Sequence, residues 1–277
     1  MIRKLNRIMK IRENYGTRYL FSLIASVILR KFKLYDATQL HKEKILHDAK
    51  AIFGSQVKYG IFSGMKISSN VWWGRYDLLS KYLGQYESHI LSKLRELSKN
   101  YDHFIDIGAA DGYYAIGLVH SKLYKTATCF EISEKGRSVI SENAILNNQS
   151  ENIKIYGEAN KDTLEKEIDA AKSCLILCDI EGAEFDLFSK EVLKVLRNCA
   201  LIIELHDEVI GGEKDRRQRL MNNAQEFFEI NFIERDNPTP NDFEELKGWK
   251  DDLRQLAFSE GRPCRMDWIL LTPRKTQ

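Results

Sequence analysis

The chain is predicted to fold as an α/β domain with a doubly wound, largely parallel sheet, preceded by a mostly helical appendage, and three observations carry that prediction. From about residue 104, short apolar runs alternate with polar stretches of helical period, the pattern of a parallel sheet covered by helices on both faces. The first of these runs opens into a loop of small residues before a helix, as strand-to-helix turns in such sheets do. Finally, 277 residues with 43% hydrophobic and 30% charged content can bury a full core. That excludes disorder and small disulfide scaffolds.

Taken in order, strands are expected at residues 104–107, 127–130, 153–156, 175–178, 201–205, 228–234 and 268–271. Helices are expected between them at 114–119, 135–147, 162–171, 185–196 and 214–225, with a further one at 87–97 leading into the first strand. Pro238 and Pro240 then open a polar insertion whose residues 242–258 read as helical. A strand, a long excursion and a closing strand let the last two strands pair antiparallel. Residues 1–70 are read as an appendage that caps the cleft or mediates association, and 71–277 as the main domain.

Charge is uneven along the chain. Of 42 basic and 40 acidic side chains, nine basic ones and Glu13 alone fall within residues 1–33, so the remainder is net acidic. Only this front end suits a polyanion, and no nucleic-acid partner is expected for the sheet region. Residues 19–29 are apolar apart from two serines and are flanked by Arg18, Arg30, Lys31 and Lys33. At roughly 1.5 Å per residue they are too short for a bilayer. Two readings stand: a helix lying on an anionic cytoplasmic leaflet, or a helix packed on the body of the protein or on a second copy. Five scattered cysteines without metal-ligand spacing point to a reducing, cytoplasmic compartment.

The segment Asp106-Ile-Gly-Ala-Ala-Asp-Gly-Tyr-Tyr places an acid near a strand end, followed by Gly108, Ala110 and Gly112, whose small size lets a ligand approach the backbone. A dinucleotide would set its pyrophosphate at the helix N-terminus, but Asp106 and Asp111 bracket that place and oppose an anion. A ligand with a cationic head fits better. S-adenosylmethionine has a sulfonium, an ammonium and no phosphate. Glu131 ends the second strand nineteen residues after Gly112, near the separation at which an acid meets ribose hydroxyls. Glu158 and Ala159 follow the third strand, where an adenine edge would fall.

After the fourth strand comes Asp179-Ile-Glu-Gly-Ala-Glu, and the fifth ends in Ile203-Glu-Leu-His. Ligands collect where the strand order reverses, so Asp179 is expected at the reactive end of the cofactor, with His206 as general base for an acceptor hydroxyl. Asp179, Glu181, Glu184, Glu204, His206 and Asp207 offer donors to a divalent ion as an alternative; no metal site is predicted. Trp72, Trp73 and Tyr76 suit stacking on a sugar ring or ordinary packing.

Together, the segments from Asp106, Asp179 and Ile203 resemble the class I S-adenosylmethionine-dependent methyltransferases, and within them the FkbM-like group. The similarity covers about residues 80–235 and includes Gly84-Gln-Tyr-Glu87. It implies a Rossmann-like, seven-stranded sheet ordered 3-2-1-4-5-7-6 and methyl transfer to oxygen, often on sugars or small natural products. Ala110 stands where the wider class often has glycine. Residues 1–80 and 236–262 fall outside the resemblance. Two rivals remain: an NAD-dependent oxidoreductase, and an inactive, membrane-peripheral interaction protein.

Overall fold

A computed structural model describes residues 2–31, 37–171, 173–206, 214–236, 239–259 and 266–274. The chain divides into two compact units, 1–47 and 48–277. Residues 48–70, grouped with the appendage in the sequence, lie on the sheet side of that division. In the first unit, α1 (Ile2–Lys31) bends at Gly16, whose φ of 83° interrupts the helical backbone. Along its second half, Phe21, Ile24, Val27 and Ile28 are exposed. Among the described residues no helix is long and apolar enough to cross a membrane. Helix α2 (Ala37–Phe53) bridges the division.

In the second unit, α3 (Leu78–Tyr82) and α4 (Ser88–Leu97) precede the sheet. There follow β1 (His103–Ile107), α5 (Tyr113–His120), β2 (Thr126–Phe130), α6 (Glu134–Leu146), β3 (Ile153–Tyr156) and α7 (Lys161–Ala171). The second half holds β4 (Cys174–Cys178), α8 (Glu184–Leu187), α9 (Lys190–Val195), β5 (Ala200–Leu205), α10 (Lys214–Gln225), β6 (Phe228–Ile233), α11 (Asp251–Ala257) and β7 (Asp267–Pro273). The strand order is β3-β2-β1-β4-β5-β7-β6, as expected. Neighbours from β3 through β5 run parallel, while β7 lies antiparallel between β5 and β6.

Burial explains the composition of each strand. Every residue of β1, β4 and β5 is buried, which requires near-continuous apolar runs because helices cover both faces. The edge strand β6 exposes part of each turn of its pleat and reads more mixed. Two expected helices differ in the structure. The span 185–196 is broken into α8 and α9, because Ser189 adopts extended backbone and its side chain accepts a hydrogen bond from the Val192 amide, a cap that starts a new helix. Of 242–258, only α11 is α-helical; two 3₁₀ turns (Pro240–Asp242 and Glu244–Leu246) precede it.

The wiring locates the site. From β1 the chain winds to β2 and β3 on one side, then crosses back to β4 on the other, so the C-terminal ends of β1 and β4 diverge and leave a crevice. Gly108 sits at that divergence with φ 87°, and a Cβ there would lie 1.9 Å from the Asp179 carbonyl oxygen. Only glycine lets the two loops meet.

Candidate functional site

A cleft of about 870 Å³ opens at the C-terminal ends of β1, β2 and β4. Asp106, Gly108, Ala110, Asp111, Glu131, Glu158, Ala159 and Asp179 all line it. Gly112 and His206 are absent from its wall. Gly112 begins α5 with φ 77°, and a Cβ there would meet Ile116 at 2.8 Å and Ile140 at 3.2 Å. Its small size therefore serves the packing of α5 on α6.

Glu131 is buried at the end of β2 and held by backbone on both sides. Its Oε2 accepts from the Ala110 amide at 2.9 Å, and its Oε1 accepts from Ser133 at 2.8 Å. Each oxygen keeps a further lone pair, so the carboxylate is fixed and still able to accept. Ala110 reaches this position through a φ of 50°, unusual without glycine.

The two aspartates of the loop have different surroundings. Asp111 is not a bare charge: its Oδ2 pairs with Lys81 Nζ at 2.9 Å, both side chains buried, and its Oδ1 accepts from the Tyr113 amide at the start of α5. Lys81 also lies over the rings of Tyr86 and Tyr113, 5.1 and 5.3 Å from their centroids. The charge that the sequence sets against an anion at Asp111 is thus cancelled by a lysine 30 residues earlier. Asp106 has no such partner. Burial pushes its carboxyl up, a hydrogen bond from the Ala115 amide opposes this, and the charges of Asp111 and Glu131 add to it, for a pKa of about 7. Its Oδ2 is buried with no hydrogen-bond partner among the described residues, as is the Tyr113 hydroxyl.

At the ends of β4 and β5 the charge is denser. His206, 1% exposed, donates its amide to Glu184 Oε1 at 2.8 Å, and its Nδ1 lies 3.3 Å from the same oxygen. Its Nε2 lies 3.3 Å from Glu204, 3.4 Å from Asp179 and 3.7 Å from Glu181. Burial pulls the imidazole pKa down, but hydrogen bonds to Glu184 and Glu204 and the charges of Asp179 and Glu204 outweigh it, raising the value to about 10. The surrounding carboxylates favour the protonated ring, which is the poorer proton acceptor. The carboxylates that favour the charged ring come from three separate elements, and they set the geometry against which the general-base expectation for His206 stands. Asp179, Glu181 and His206 each place one donor atom within 4.8 Å of the others, and Asp207 lies outside the described residues.

Lys81 and Tyr113 are the functional candidates that the sequence did not single out. Lys81 precedes the first strand by more than twenty residues, and only its place beside Gly84-Gln-Tyr-Glu87 could have marked it. In that segment Glu87 accepts a hydrogen bond from the Tyr114 hydroxyl, tying the approach to β1 onto α5.

No protein-family profile and no curated protein sequence matches the chain. Among solved structures, the B. subtilis M1A22 tRNA methyltransferase TrmK is similar at 12% identity, with 66% of this chain and 64% of that one covered and a TM-score of 0.42. A provisional O-methyltransferase from Klebsiella pneumoniae shares 12% identity over 91% and 97% of the two chains, TM-score 0.43. Ribosomal protein L11 methylase from Lactobacillus delbrueckii subsp. bulgaricus shares 16% over 66% and 78%, TM-score 0.39. These scores lie below 0.5, and the fold stands on its own strand order.

Proposed function

We propose that the cleft binds S-adenosylmethionine and that the chain is a methyltransferase of the class I type, FkbM-like, acting on a hydroxyl of a glycan or small molecule. The observation that carries this is Asp106, a residue of the cleft wall with one buried carboxylate oxygen that has no partner among the described residues; such an oxygen costs free energy unless a cation or donor meets it. An ammonium group meets both needs. Glu131, fixed by two amides, then accepts from ribose hydroxyls, and Glu158 and Ala159 flank the base. Gly108 and Ala110 leave the backbone open to the methionine portion.

When bound, the cofactor supplies an electrophilic methyl group on a sulfonium with a good leaving group. The chain has to align an acceptor and exclude water. Asp179 lines the cleft and keeps its carboxylate 3.4 Å from the His206 ring. We assign Asp179 the acceptor hydroxyl, which it would orient and whose proton it would take when methyl transfer breaks the carbon–sulfur bond of the sulfonium, and His206 the role of holding Asp179 in place. An oxidoreductase needs a phosphate-tolerant loop. With Asp111 neutralised, the unpaired carboxylate of Asp106 is what argues against one. Calorimetric titration of S-adenosylhomocysteine against NAD decides: saturable binding of the first and none of the second supports the proposal, and the reverse refutes it.

A second reading concerns the first 33 residues. Phe21 is 68% exposed, and Ile24, Val27 and Ile28 are exposed on the same helix, within a segment of nine basic side chains and one acidic. That combination supports attachment to an anionic membrane surface at the cytoplasmic face, over packing or homo-oligomer formation. Co-sedimentation with phosphatidylserine vesicles, lost on deleting residues 1–33, is the expected result; equal sedimentation of both chains removes this reading.

A further inference from the structure

We propose that a second recess, divided from the cleft by residues 69–75, is an anion site that takes a phosphate or sulfate group carried by the acceptor. The recess holds about 450 Å³, a volume suited to a small-molecule group. Lys50 from α2, Arg75 from the dividing segment and Lys135 from α6 line it, together with Glu142. Helix α6 presents Lys135, Ser138, Val139 and Glu142, whose spacing of three, four and seven places them on one face. Glu142 is the one carboxylate among the described lining residues. Hydrogen bonds from Ser68 Oγ at 2.6 Å and Asn70 Nδ2 at 2.9 Å occupy it and hold its pKa down. Lys50 and Lys135 alone outnumber that anion, within a domain that is otherwise net acidic.

The neighbouring cleft makes the complementary argument. Its wall carries Asp106, Asp179 and Glu181, so an acceptor bearing an anion is repelled if that group enters with the reacting hydroxyl. Trp72 is the partition: it lines the cleft, and Lys135 Nζ lies 5.5 Å from its ring centroid on the recess side. Asn70, Val71 and Arg75 face the recess while Trp72, Trp73 and Gly74 face the cleft. An acceptor that keeps its hydroxyl beside Asp179 and its oxyanion among Lys50, Arg75 and Lys135 satisfies both fields. The word acceptor rests on the methyltransferase proposal; the anion site itself does not.

The test titrates inorganic phosphate and, separately, sulfate into the full chain at low ionic strength, for wild type and for Lys50→Gln combined with Arg75→Gln, with S-adenosylhomocysteine affinity measured in parallel. Saturable wild-type binding in the millimolar range, weakened about tenfold or more in the double variant, with S-adenosylhomocysteine affinity unchanged, is expected. Absence of saturable binding to wild type, or equal binding by the variant, overturns the proposal. Lys50→Gln alone provides the same comparison if the double variant unfolds. Phosphate binding without S-adenosylhomocysteine binding removes the methyltransferase reading and leaves the anion site standing; the opposite result removes only the site.

Discussion

The two ends of the cleft handle carboxylates in opposite ways. At the ends of β1 and β2, Glu131 is satisfied by two backbone amides and Asp111 by Lys81 and an amide, and one oxygen of Asp106 is left over. At the ends of β4 and β5, Asp179, Glu181, Glu184 and Glu204 all lie within 4 Å of one imidazole. In the first region the carboxylate oxygen without a partner among the described residues marks where a ligand's charge belongs. In the second, four carboxylates crowd one ring and favour its charged form.

Breaking the neutral pair at the first end carries the largest expected effect. Lys81→Met strands Asp111 and should cost about 3–5 kcal/mol in urea unfolding; Lys81→Met with Asp111→Asn should recover much of that, and an equal loss in both variants would show that the pair is not coupled.

The second end is tested by pH. The His206 pKa is raised from 6.5 to about 10, so its contribution to stability is complete below pH 6.5 and is lost as pH rises through 10. Between those values the wild type should lose a few kcal/mol of unfolding free energy relative to His206→Gln. Parallel pH profiles would mean that the ring is neutral.

Smaller effects sharpen the contrast. Glu131→Ala should weaken S-adenosylhomocysteine binding by about tenfold or more, the loss of hydrogen bonds to a charged group. Ser133 caps α6 by accepting from Gly136 at 3.2 Å, and Ser133→Ala should cost about 1 kcal/mol in denaturant unfolding. A larger loss would mean that the hydroxyl supports more than the start of α6, since the Ser133 amide that meets Glu131 is kept in the variant.

Much of this architecture can be read from the sequence because the forces that set it are local. The seven strands follow from apolar runs that must be buried on both faces, and Asp106, Glu131 and Asp179 follow from their places at strand ends. The break at Ser189 was legible as a serine cap, but the continuous apolar period across 185–196 masked it. What stayed hidden depends on distant partners. Nothing near Asp111 announces Lys81, and the charge on His206 arises from Glu184, Glu204 and Asp179, which converge only when β4, α8 and β5 assemble. For the same reason Gly112 reads as part of a ligand loop, whereas Ile116 and Ile140 decide its size.

The central claim is that the Asp106 carboxylate reads a cationic head group, and one comparison reaches it directly: the affinity of S-adenosylhomocysteine against that of methylthioadenosine, which lacks the ammonium. At pH 8 the wild type should favour S-adenosylhomocysteine by roughly tenfold or more, and the preference should fade as pH falls through about 7, where Asp106 becomes neutral, and should be largely lost in Asp106→Asn. A preference that persists undiminished in that variant and across that pH range would contradict the account.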